Sequence, residues 1–109
     1  MSRDELLDEL RDLDLRLRGP EMIQFVKQQE LKFRAQFAAD LATLSASIGI
    51  IENAQLAEIL GRLNPLASQL KTGIQELQDS IDSLDKTVAV FTEIGNVVGL
   101  AARVAGLVA

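Results

Sequence analysis

The chain has no cysteine, histidine, tryptophan or tyrosine. Without thiols or imidazoles it forms no disulfide, no thiolate or imidazole metal site and no cysteine nucleophile, and histidine acid–base chemistry goes with them. Two prolines and seven glycines among 109 residues exclude collagenous and low-complexity chains. All four aromatics are phenylalanine, and 11 basic against 16 acidic residues leave a net charge of −5. That composition lacks the cationic footprint and the stacking platform of a nucleic-acid binder. The most basic stretch, Lys27, Lys32 and Arg34, is balanced along the chain by Glu21, Glu30 and Asp40. No Gly-rich phosphate loop or nucleophile elbow is present, so the expectation is a protein that is not an enzyme and carries no cofactor or metal. The N-terminus has no apolar signal core, which together with the missing cysteines points to the cytoplasm.

What is there is helical periodicity, with no stretch of strand-like alternation, and an all-α fold follows. Ser2 and Glu5 have the spacing of a capping box, and Leu6, Leu10, Leu13 and Leu17 form one apolar stripe. Asp12–Arg16 and Asp14–Arg18 are acid-before-base pairs four residues apart. Gly19-Pro20 closes this first helix, over about 2–18. A second helix is predicted over about 20–63. Its stripe runs Ile23, Val26, Glu30, Phe33, Phe37, Leu41, Leu44, Ile48 and Ile51, then slips phase before Leu56, Leu60 and Leu63. Ala38, Ala42 and Ala46 recur beside it at a spacing that permits close helix approach. Asn64-Pro65 reads as an N-cap and first helical residue, opening a third helix over about 65–109. From Leu70 its seam continues through Ile74, Leu77, Ile81, Leu84, Val88, Phe91 and Val98 in alternating steps of 4 and 3.

Two helices of about 44 residues, each roughly 66 Å long, would fold back at position 64 as a long antiparallel hairpin with coiled-coil-like packing. The first helix would cover one end, setting Leu6 and Leu10 against Val98 and Ala102, all in a single domain over 1–109. This outline is similar in shape to small secreted helical-hairpin proteins that turn on a Trp-x-Gly motif. That motif is missing here, and the likeness implies architecture alone.

Asp79, Asp82 and Asp85 drift round one helix face opposite the seam and read as a solvated acidic surface. Glu30 is the one carboxylate on an apolar stripe; it is expected at the edge of the seam, flanked by Lys27 and Arg34, with fixing the register between helices as the alternative. The seam itself, from Phe33, Phe37, Leu41, Leu44, Ile48 and Ile51 to Leu77, Ile81, Leu84, Val88, Phe91 and Val98, is the expected helix interface. Ile50, Ile59 and Leu66 lie off it and are expected to seat a second chain. Gly95, Gly99, Leu100, Gly106 and Leu107 belong to a nearly uncharged C-terminal run suited to close packing or to lipid. Its 16 residues would span about 24 Å, short of the roughly 30 Å hydrocarbon core, and Arg103 sits inside it. The expected function is a non-enzymatic interaction or self-assembly module whose partner is itself or another helical protein. The alternative is a membrane-active protein that exposes residues 88–109 to lipid.

Overall fold

Leucines at 6, 10, 13 and 17 put one apolar stripe on α1 (Arg3–Leu17), and all four are buried. The computed structural model that carries this helix describes residues 3–53, 60–84 and 89–108. α1 stops where the Arg18 amide donates to the Asp14 carbonyl and the Gly19 amide to the Arg16 carbonyl, both at 3.1 Å. A Cβ on Gly19 would lie 3.2 Å from that Arg16 oxygen, so the tight exit favours glycine. Pro20 then occupies the first turn of α2 (Pro20–Lys27), where a missing amide hydrogen costs nothing. α2 buries Met22 and Val26 and ends as the amides of Gln28 and Gln29 bond back to Phe25 and Val26. α3 (Leu31–Asn53), α4 (Leu60–Asp82) and α5 (Ala89–Val108) follow. Among the described residues there is no strand.

The all-helical expectation holds, but the pair of 44-residue helices does not. The longest helices, α3 and α4, have 23 residues each. The molecule is 44 Å in its longest dimension, too short for a rod of roughly 66 Å. Three differences account for this. The stretch expected as one helix over 20–63 breaks at residues 28–30, and Glu30 leaves the stripe, exposed, with its carbonyl accepting the Phe33 and Arg34 amides. The expected turn at Asn64-Pro65 lies inside α4. Leu60, Leu63, Ala67, Leu70, Ile74, Leu77 and Ile81 keep alternating steps of 3 and 4 straight through Pro65, whose ring is exposed. The buried run Ala67, Leu70, Ile74, Leu77 and Ile81 that follows it outweighs the roughly 3 kcal/mol that an interior proline costs. The stretch expected as one helix over 65–109 instead ends at Asp82, where the Ser83 amide tightens onto the Ser80 carbonyl. α5 is apolar on most sides, and folding back gives it neighbours that a straight rod cannot supply.

Four helices close a ring in which α1 packs on α3, α3 on α5, α5 on α4 and α4 on α1, with α2 bridging α1 and α3. Arg11 of α1 and Arg18 just beyond its end reach Glu52 and Ser45 of α3, so those two helices run antiparallel. Arg16 pairs with Asp82 near the C-terminal ends of α1 and α4, which run parallel. Phe33 and Phe37 meet Phe91 near the starts of α3 and α5, a second parallel pair. Gly73 of α4 lies against Val97 of α5 in an antiparallel pair, and a Cβ there would sit 3.2 Å from the valine methyl. α1 therefore takes α3 and α4 as neighbours and stands diagonal to α5. The expectation that it covers Val98 and Ala102 is corrected accordingly.

Candidate functional site

The ring has two unlike sides. α1 carries six acidic and three basic residues among its 15. With α4 it borders a groove lined by Glu5, Asp8, Glu9, Asp12, Asp79 and Asp82 alongside Arg16 and Lys71. On the α3–α5 side, Asp40 is the only charged residue between Arg34 and Glu52, and α5 has only Glu93 and Arg103.

Small side chains make that second side smooth. Ala35, Ala38, Ala39, Ala42 and Ala46 are exposed on α3, and Gly99 and Gly106 on α5. Among the described glycines, a Cβ at Gly49, Gly95, Gly99 or Gly106 would meet nothing within 4 Å. A helical glycine costs about 0.5–1 kcal/mol relative to alanine. At Gly73 close contact with Val97 explains the residue; on the outer face of α5 no contact within the protomer does. Among the described residues Glu93 and Arg103 make no ion pair, whereas Arg11, Arg16 and Arg18 each have a carboxylate partner.

Beneath this face lies the one buried carboxylate among the described residues. Asp40 is 8% exposed, and Gln36 Nε2 donates to its Oδ1 at 3.0 Å. Burial pushes its pKa above the ordinary aspartate value, and the Gln36 bond pulls only partly the other way. Ser47, buried on the same helix, donates to the Thr43 carbonyl at 2.8 Å. No buried side-chain polar atom lacks a partner among the described residues.

The residues expected at the seam fall as follows. Phe37, Leu44, Ile48, Ile51, Leu77, Ile81, Phe91 and Val98 are buried in one core, with Phe33, Leu41 and Leu84 partly buried against it. Leu84 follows the end of α4 instead of continuing a helix. Of the three residues expected to seat a second chain, Ile50 is 41% exposed and Leu66 packs on the core; Ile59, like the seam residue Val88, lies outside the described residues. In the C-terminal run Leu100 packs on the core, Gly95 is half-buried and Leu107 is 60% exposed. Sequence reasoning missed Phe25, Asp40 and Gly73. For Asp40 the signal was a lone acid in an otherwise uncharged 17-residue stretch between Arg34 and Glu52. No group of three or more acidic, histidine or cysteine side chains that could hold a metal ion occurs among the described residues. No protein-family model, curated protein or solved structure matches the chain.

Proposed function

We propose that the protein is a non-enzymatic helical module that self-assembles through the outer face of α3 and α5. The observation that carries this reading is the set of α5 glycines whose missing side chains leave open space. They weaken the helix without serving any contact inside the protomer, and close approach of another helix is what a glycine face permits. Two parallel helices of about 30 Å, side by side, present on the order of 600 Å² per protomer, the lower range for a stable complex. Exposing residues 88–109 to lipid would draw Val90, Phe91, Ile94 and Val97 out of the core, whereas assembly through the outer face needs no unpacking.

Light scattering across a dilution series tests this. The wild-type chain is expected to weigh a multiple of 11.9 kDa and to fall toward that mass on dilution. Gly99→Glu combined with Ala42→Glu, both at exposed positions, is expected to stay monomeric with unchanged helicity. A wild-type mass of 11.9 kDa at every concentration contradicts the reading.

A further inference from the structure

The corner where α2 passes into α3 combines three features that the self-assembly reading does not use. Leu31, the first residue of α3, is 70% exposed. At the same corner the rings of Phe25 and Phe33, each only partly covered, stack on Phe91 at 5.8 and 5.2 Å between centroids. Near it in the chain are Lys27, Lys32 and Arg34, all exposed, with the exposed Glu30 directly before it. Lys32 lies 5.0 Å from the Phe33 ring centre and 3.8 Å from the Glu30 carboxylate. Lys27 and Arg34 have no ion-pair partner among the described residues, unlike the three paired arginines of the α1 side.

Folding also changes the charge balance of this stretch. Asp40, which helps neutralise it along the chain, is turned into the core, leaving three cations against Glu21 and Glu30 at the surface. The acid-rich first turns of α1 lie at the opposite end of the bundle, because α1 runs antiparallel to α3. At physiological salt, charges separated by more than about 8 Å are largely screened, so that end does not cancel the corner. Asp79 and Asp82, at the near end, line the α1–α4 groove, Asp82 paired with Arg16.

We propose that this corner docks on an anionic lipid surface, Leu31 entering the apolar boundary while Lys27, Lys32 and Arg34 meet the headgroups. An exposed leucine within four residues of three exposed cations matches a layer of negative charge over an apolar phase, and long basic side chains keep their charge at that boundary while their stems lie against it. An acidic protein would satisfy the cations but would need a pocket for Leu31; a bilayer needs none. Leu31 precedes Ala35, Ala38 and Ala42 at helical spacing, so it borders the face proposed for self-assembly, but the lipid contact does not require assembly.

Flotation of the full-length chain with vesicles tests it, using phosphatidylcholine containing phosphatidylserine against phosphatidylcholine alone. The chain is expected to float with the first and not the second, and to be released by high salt. Leu31→Ser, and separately Lys27→Glu with Arg34→Glu, are each expected to weaken flotation about tenfold or more. Circular dichroism checks that these surface changes leave helicity intact. No flotation on anionic vesicles, equal recovery on both kinds, or capture by polyglutamate but not by vesicles overturns the proposal. So does flotation unchanged in both variants, which would place the lipid contact elsewhere.

Discussion

Asp40 makes stability depend on pH in an unusual direction. Its folded-state pKa is raised by desolvation, so in the window between its ordinary value of 3.8 and the raised one the folded chain binds more protons than the unfolded chain. This group's contribution therefore improves as pH falls through that window and is least favourable at neutral pH. Asp40→Asn keeps an oxygen for Gln36 and removes the buried charge. Thermal melts are expected to show the variant more stable than wild type near pH 7, the gap closing near pH 4. A variant less stable at neutral pH would mean the ionised carboxylate is stabilising. The glycines give a second test at this scale. Gly99→Ala adds a methyl into open space and removes backbone freedom, so the isolated protomer should gain about 0.5–1 kcal/mol in a dilute denaturant titration. Gly73→Val pushes directly on Val97 and should lose stability, of the order of 1–3 kcal/mol for overpacking.

At the level of helices, the apolar stripes were legible and the breaks were not. Leu6, Leu10, Leu13 and Leu17 mark α1, and the Gly19-Pro20 exit has a local cause in the close Arg16 carbonyl. Periodicity alone cannot distinguish one long amphipathic rod from two that fold back, because both keep the 3–4 alternation. The seam from Leu70 through Ile81 to Phe91 stays in phase across the end of α4, yet the chain reverses there because α5 needs cover on several sides. Asn64-Pro65 misled in the opposite sense, since an unbroken stripe outweighed a turn signal. Glu30 on the apolar stripe was a clue to the break at residues 28–30. Leu77→Ala, at a fully buried position of α4, should cost about 2–5 kcal/mol in chemical denaturation. A cost below 1 kcal/mol would remove α4 from the core.

For the whole molecule, the decisive feature is segregation: charge on α1 and α4, small uncharged residues on α3 and α5, and an apolar basic corner at one end. Composition alone could not reveal it. Net charge is the same however the charges are distributed, and the two sides become distinct only once the ring places α3 beside α5 and α1 beside α4. Because the chain has no native cysteine, a single introduced thiol reports on one position without background. The most direct test measures the maleimide labelling rate of Gly99→Cys over a range of protein concentrations, beside Glu76→Cys on the exposed side of α4. Assembly through the α3–α5 face predicts that labelling at position 99 slows as concentration rises while position 76 is unaffected. Equal, concentration-independent rates at both positions would contradict it.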